Sequence, residues 1–268
     1  MELPEECISD ILCRTTPLDV ARISVVSKIF CSAADSDTIW DHFLPSDYRS
    51  IISQSLSVAN APSKKAIYLA LSDRPIIIDE GKRSFQLDRK SGKKCYMLSA
   101  RALNISNGED ERYCRWVTLP ESRFEEVPML KDPLWFAISG KINTVDLSSS
   151  TQYAVFLVYK LVTTHGSYYE PVLLLMRILG GRVRTKKACL AMRLKENSMN
   201  SVPECPNMRS DGLLEIEMGE FFNLGLEDGE VEMNVMITQM FSWNGSFYLE
   251  GIEVRPKISR PIRNGRQA

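Results

Sequence analysis

LPEECISDILCRTTPLDVARISVVSKIFCSAADSDTIWDHFLP, residues 3–45, decides the character of the N-terminal part of the chain. Its apolar residues recur at intervals of three and four, as in Ile8, Ile11 and Leu12 and then Val20, Ile23, Val26 and Phe30, which is the period of a helix with one buried face. Pro17 cannot continue a preceding helix, and the Asp19 carboxylate can accept the orphan amide hydrogens of the next one. A third helix begins near Asp35 to Thr38, carries Ile39, Trp40, Phe43 and Leu44, and stops at Pro45. Three short helices have too few interior positions to hide every apolar side chain, so part of this surface is expected to meet a partner.

Outward from that segment the pattern changes. SKKAIYLALS, Ser63 to Ser72, reads as a further helix, a connector between domains. GKRSFQLDRKSGKK, Gly81 to Lys94, is basic and turn-rich with only Phe85 interleaved, and is read as a solvated linker or hairpin in preference to a nucleic-acid patch. From Cys95 onward short β-type runs alternate with turns: CYMLSARALNI, RYCRWVTL, LWFAISGKI, QYAVFLVYKLV, LLEIEMGEFF, GEVEMNVMIT and FYLEGIEVRP. Asp228-Gly229 and Asn244-Gly245 are hairpin signals, because these residues tolerate positive φ. So many strands at short intervals imply an antiparallel β-sandwich. The expected division is helical unit 1–46, helical connector and basic linker 47–94, β-sandwich 95–257 and disordered tail 258–268, an α+β chain. Trp135, Phe136, Tyr153 and Phe156 are expected in the sandwich core. The glutamates at 215, 217, 220, 227, 230 and 232 are expected on solvated faces.

Composition narrows the function classes. With 44% hydrophobic and 25% charged residues, a mean hydropathy of −0.15 and a net charge of −1, the chain can bury a substantial core. It has no overall positive field to hold it on phosphate backbones or anionic lipid, so neither nucleic acid nor membrane is an expected partner. No segment approaches an apolar membrane span, and the N-terminus carries acids where a secretory signal needs bases, which points to the cytoplasm or nucleus. The seven cysteines, at 7, 13, 31, 95, 114, 189 and 205, form no CxxC pair and are read as reduced. His42 and His165 lie in no zinc spacing, no cysteine adjoins a histidine that would activate it, and no cofactor or catalytic residue is called for.

Two family resemblances give these patterns a meaning. Residues 3–45 resemble an F-box: Leu3-Pro4 opening the first helix, Ile8 with Ile11 and Leu12, Pro17-Leu18-Asp19, Val25-Val26-Ser27-Lys28 with Phe30, and Trp40 near the end. The resemblance implies docking to a Skp-type adaptor, and through it to a cullin, by Leu3, Pro4, Ile8, Ile11, Leu12, Val26, Phe30 and Trp40, with Trp40 equally able to serve as internal core. From Cys95 to Pro256, SARALNIS, RYCRW, SRFEEVPML, WFAISGKINT, SSSTQYAVFLVYKL, RSDGLLEIEMGEFFN, DGEVEM and GIEVRP resemble, in order, the phloem protein 2 or Nictaba-like lectin domain, whose fold is a jelly-roll-like sandwich. That resemblance implies a carbohydrate site at Asn107, Tyr113, Cys114, Trp116 and Glu230 for an N-acetylglucosamine-containing or high-mannose glycan or glycoprotein. Both tryptophans thought to stack on sugar in that family are replaced, by Asn107 and Cys114, and a second family glutamate falls at Ile237. An asparagine and a thiol present much less stacking area than two indoles. The combination is that of plant F-box proteins with a phloem-lectin domain, and implies a non-catalytic substrate receptor of an SCF ubiquitin ligase that selects a glycoprotein or protein target. The alternative is a lectin or stress-related binding protein acting without a ligase.

Overall fold

The computed structural model describes residues 5–131, 137–162, 171–179, 181–190, 204–225, 229–237 and 246–257. Leu3, Pro4, Trp135, Phe136, Glu227, Asn244-Gly245 and the tail from 258 lie outside them, as does Asp228 of the other hairpin signal.

Seven helices lead the described residues: α1 (Glu5–Cys13), α2 (Pro17–Ile23), α3 (Lys28–Asp35), α4 (Asp37–Phe43), α5 (Tyr48–Ile52), α6 (Leu56–Ala59) and α7 (Lys64–Asp73). Local chemistry sets these boundaries. The hydroxyls of Thr16, Ser27, Ser36 and Ser63 accept from the amides of Asp19, Phe30, Thr38 and Ala66 at the starts of α2, α3, α4 and α7. Ser27 explains why the run from Val20 to Phe30 is two helices and not one: its side chain caps α3 and cuts the apolar period, so four helices fill the segment read as three.

The strands are β1 (Ile76–Ile78), β2 (Arg83–Leu87), β3 (Lys94–Ser99), β4 (Asn104–Ile105), β5 (Cys114–Val117), β6 (Val127–Lys131), β7 (Ala137–Asn143), β8 (Thr151–Leu161), β9 (Pro171–Ile178), β10 (Arg184–Cys189), β11 (Asn207–Met208), β12 (Leu214–Asn223), β13 (Glu230–Ile237) and β14 (Ser246–Pro256). They form two antiparallel sheets. The larger runs β1-β2-β3-β14-β8-β12-β11, with β6 paired to the start of β14 and β5 to β6; the smaller runs β10-β9-β13-β7-β4. The sheets face each other across one core, where Leu98 and Ile252 of the larger sheet approach Gly140 of the smaller.

The expected boundary at residue 95 falls inside β3, and the sheet begins at Ile76. Of the two readings of Gly81 to Lys94, solvated linker or hairpin, the structure has the hairpin, and it belongs to that sheet. Its cations disguise the strand pattern because they are used at the ends of strands: Arg83 is paired with Asp79 and, at 2.7 Å, with Asp146, while Lys94 reaches Asp47 at 2.8 Å. Phe85 and Leu87 point inward between them. The expected core residue Tyr153 is fully buried, whereas Phe156 is partly covered on the opposite face of the sheet.

The helices and the larger sheet share their core. Tyr68 of α7 lies with its ring 5.0 Å from that of Trp40, and its hydroxyl donates to the carbonyls of Asp88 and Arg89 at 3.3 and 3.4 Å in the β2–β3 turn. Gln86 of β2 donates to the Ser72 carbonyl at 3.0 Å.

Two β-bulges shape the larger sheet. In β14 the register shifts between Leu249 and Gly251, so that the extra residue, Glu250, turns its carboxylate to the outer face. Gly251 has φ +155°, and a Cβ built there would stand 2.0 Å from the Leu98 carbonyl oxygen on β3. Gly251→Ala is therefore expected to destabilise the protein by about 3 kcal/mol or more, measured by chemical denaturation. An unchanged denaturation midpoint would show that the two strands do not approach as described.

Candidate functional site

The helical unit divides its apolar residues into two sets. Ile8, Leu12, Val20, Ala33, Ala34, Ile39 and Trp40 are buried, and the Trp40 indole donates to the Ala34 carbonyl at 2.6 Å. Outside remain Val25 at 85% exposure, Val26 at 70%, Ile29 at 38% and, on α1 where it packs against α3, Ile11 at 49%; Phe30 is half-buried. Of the residues expected to dock a partner, Ile11, Val26 and Phe30 thus stand at or near the surface. Ile8, Leu12 and Trp40 lie in the interior, where they support that surface and do not form it. Leu3 and Pro4 lie outside the described residues. The inner set is buried because the unit does not stand alone: α7 closes its core from the other side. Ile29 was not singled out on the sequence and Val25 was quoted only within the F-box motif, although the Val25-Val26 pair in a short polar turn is the legible signal for them. Val25 and Val26 adjoin in the turn before α3 and Ile29 lies in its first turn, so three branched aliphatics stand exposed close together in the chain.

The loop between β4 and β5 is well pinned. Ser106 bridges to Ala137 of β7, its amide donating to the Ala137 carbonyl at 2.9 Å and its hydroxyl accepting from the Ala137 amide at 2.7 Å. Asp110 accepts from the backbone and guanidinium of Arg112 at 2.6 to 3.1 Å, which holds its carboxyl below the usual range. Asn107 is exposed with φ +58°, a conformation asparagine tolerates. Cys114 is buried, and burial raises its thiol pKa, so it offers a ligand neither surface nor thiolate. Tyr113 is half-buried beneath the Arg112 guanidinium, 5.4 Å from the ring centre. Trp116 packs partly against the core, and the Arg101 guanidinium lies 3.5 Å from its ring centre, held there by Glu126 at 2.6 Å. A sugar stacking on this indole would have to displace that cation.

Glu230 is elsewhere. It pairs in register with Asn143 and accepts from Lys141 at 2.8 Å, while the loop adjoins Ala137 at the opposite end of β7. Six strand residues separate the two, roughly 20 Å. The backbone position level with the loop end is that of Ile237, next to the Met236–Ala137 pair. The structure therefore groups Asn107, Tyr113, Cys114 and Trp116 on one loop and strand, but does not bring Glu230 to them.

A third constellation was missed on the sequence. On the outer face of the larger sheet, Arg209 donates to Glu215 at 2.9 Å and Glu253 at 2.7 Å. Arg255 binds Glu215 through two bonds of 2.7 and 2.8 Å, is paired with Glu253, and lies over the Phe156 ring at 3.8 Å. Arg123 approaches Glu253 at 3.6 Å and donates to the Ser84 hydroxyl at 3.1 Å. Glu215 is thus mostly enclosed and ion-paired, not solvated as its acidic neighbourhood suggested. Burial alone would raise the Glu253 carboxyl, but Arg209 and Arg255 outweigh it and hold the pKa below the ordinary range. Such a cluster is a clamp, because its members sit in SRFEEVPML, RSDGLLEIEMGEFFN and GIEVRP and tie the segments before β6 and β12 to β14.

Comparison with known proteins follows the same division. A model of the F-box domain matches residues 1–42 and one of phloem protein 2 matches residues 93–256. The chain belongs to the phloem protein 2 family and carries an N-terminal F-box. It is 42% identical over 257 residues to the PP2-B12 F-box sequence of Arabidopsis thaliana, covering 96% of this chain and 98% of that one. To F-box protein PP2-B10 of the same plant it is 38% identical over 256 residues, with 94% and 92% covered, and to F-box protein SKIP3 it is 37% identical over 263 residues, with 95% and 87% covered. An F-box implies binding to a Skp-type adaptor, and F-box proteins are generally non-catalytic subunits. In this phloem protein 2 domain, strands β1 and β2 extend the sheet beyond the matched segment toward the F-box.

The clamp gives a pH-dependent expectation. Glu253→Gln removes the carboxylate that Arg123, Arg209 and Arg255 share, leaving Arg209 with Glu215 and Asp211 and Arg255 with Glu215, and should cost about 3 to 5 kcal/mol near neutral pH. Since the folded pKa of Glu253 is depressed, its contribution is complete above the unfolded carboxylate range and is lost as pH falls through the folded value. The gap in melting temperature between parent and variant should therefore be widest near neutrality and close as the solution is acidified. A gap independent of pH would deny Glu253 that charge.

Proposed function

We propose that this chain is the substrate-receptor subunit of an SCF-type cullin–RING ubiquitin ligase, acting in the cytoplasm or nucleus. The F-box docks a Skp-type adaptor and through it the cullin, and the phloem protein 2 domain holds the target. The observation that carries the reading is the exposed set Ile11, Val25, Val26 and Ile29 on a helical unit whose own core is already closed. These side chains have no intramolecular reason to be apolar, and aliphatic anchors that lose water on contact are what an interface needs. The subunit performs no bond chemistry in this scheme. It supplies position, by joining the docking face to the target face through one continuous core.

For the target, a protein surface is the better-supported reading over a stacked glycan. Trp116 is covered by Arg101, Cys114 is enclosed, Asn107 stands where a stacking residue would be needed, and Glu230 lies at the far end of its strand. A ligand recognised by the loop would meet Asn107, Arg112 and Tyr113, a polar surface without an open ring face.

The test is docking. Val25→Asp with Val26→Asp should weaken binding of the full chain to a purified Skp-type adaptor roughly thirtyfold or more, since a central anchor contributes about 2 kcal/mol or more. The same variant should melt at the parent temperature, because both side chains are exposed. Undiminished adaptor binding would remove this face from the interface, and a parent chain that binds no adaptor would end the ligase reading.

A further inference from the structure

A depression of about 610 Å³ lies on the outer face of the larger sheet, between the β1–β2 turn and the segment that precedes β6. Ser99, 1% exposed, is among the residues that line it, and the Ser99 hydroxyl has no hydrogen-bond partner among the described residues. A buried hydroxyl left unpaired costs free energy, and such groups usually have a partner. Ile77 and Phe124 supply apolar wall. Glu80 and Glu125 stand at the rim, Glu80 on a turn in which Asp79, Glu80 and Gly81 all have positive φ.

The charges at this place do not cancel. Arg101 is engaged with Glu126 and with the Trp116 ring, which leaves Glu80, Glu125 and Lys82 without an ion-pair partner among the described residues. Two carboxylates against one ammonium favour a cationic guest. The apolar wall fits a methylene stem, and the Ser99 oxygen is an acceptor for an N–H donor. No open aromatic face lines the depression, since Phe124 is buried, so it lacks a platform for sugar.

We propose that this depression is a recognition site for a basic side chain, lysine or arginine, of the target polypeptide. The proposal rests on the receptor reading and names a contact that selects the target. The aliphatic stem lies against Ile77, the terminal nitrogen donates to Ser99, and Glu80 and Glu125 neutralise its charge. The site is independent of the Asn107–Trp116 loop, and Arg101 sits between the two as a shared wall.

The experiment uses the full chain, with its adaptor, on an array of short peptides in which each position is varied in turn. Peptides with lysine or arginine at one position should be retained. Glu80→Gln with Glu125→Gln should weaken their binding at least tenfold, the equivalent of one charge-assisted hydrogen bond. Ser99→Ala should weaken it several-fold. Because Glu80 and Glu125 are exposed, the double variant keeps the fold, and its melting temperature checks this. Selection of acidic or neutral residues, no retained peptide, or retention unchanged in the double variant would overturn the proposal. So would binding of free oligosaccharide that the double variant abolishes, since the depression would then be a sugar site. Adaptor capture is read in the same samples: peptide selectivity lost with adaptor binding kept strikes this site alone, and loss of the adaptor strikes the receptor reading.

Discussion

Tyr68 is the side chain on which the arrangement of the molecule depends. It is buried in α7, with its ring against Trp40 and, at 6.4 Å, Phe43 of the F-box, and its hydroxyl on the β2–β3 turn. Gly92 of that turn, at φ +69°, comes close to both Pro17 and Tyr68, where a Cβ would lie 3.3 and 3.5 Å from their side chains. Burial raises the phenol pKa, so the hydroxyl remains a donor throughout the physiological range. Around this residue lie polar ties of longer reach. The Lys64 amide donates to Asp37 at 2.8 Å and its ammonium to Asp41 at 2.6 Å, fixing the start of α7 to α4, while Lys94 and Asp47 join β3 to the segment before α5. The exposed ion pair of Lys64 with Asp41 contributes little free energy, and the buried aromatic contact is worth more.

This coupling matters for a receptor. A ligase that transfers ubiquitin from an enzyme held elsewhere needs the target placed, and not merely captured. A flexible linker would spread the target over a volume, whereas a shared core restricts it to one orientation. The outer-face clamp serves the same end within the β-domain. By tying the segments before β6 and β12 to β14, it stiffens the face on which the Ser99 depression lies.

Most of the helical and strand segments were legible in the sequence because their side chains obey simple patterns: spacings of three and four in residues 3–45, alternation in LLEIEMGEFF and a continuous apolar run in QYAVFLVYKLV. What escaped did so for identifiable reasons. The β2–β3 segment was open between linker and hairpin, and its place in the sheet was hidden because the cations at its ends form ion pairs in the fold but read as solvated charge in one dimension. β10 (RTKKAC) was disguised in the same way, since Lys186 is engaged with Glu204 and with the Glu217 carbonyl. Glu215 looked like a solvated strand residue because the partner that binds it through two bonds, Arg255, lies far off in the chain. The phloem protein 2 motifs were recognised before their purpose was visible, and several of them contribute to a single ionic cluster. The proposed sugar residues show the converse: positions matched on motif alone are divided between the two ends of β7 once the register is known.

The most direct measurement is small-angle X-ray scattering of the full chain beside Tyr68→Ala. A rigid receptor gives the profile of one compact particle for the parent and a more extended, flexible profile for the variant, with the β-domain still folded. A parent profile that already requires a broad ensemble of F-box and β-domain positions would contradict the claim that one core holds the docking face and the target face in a fixed relation.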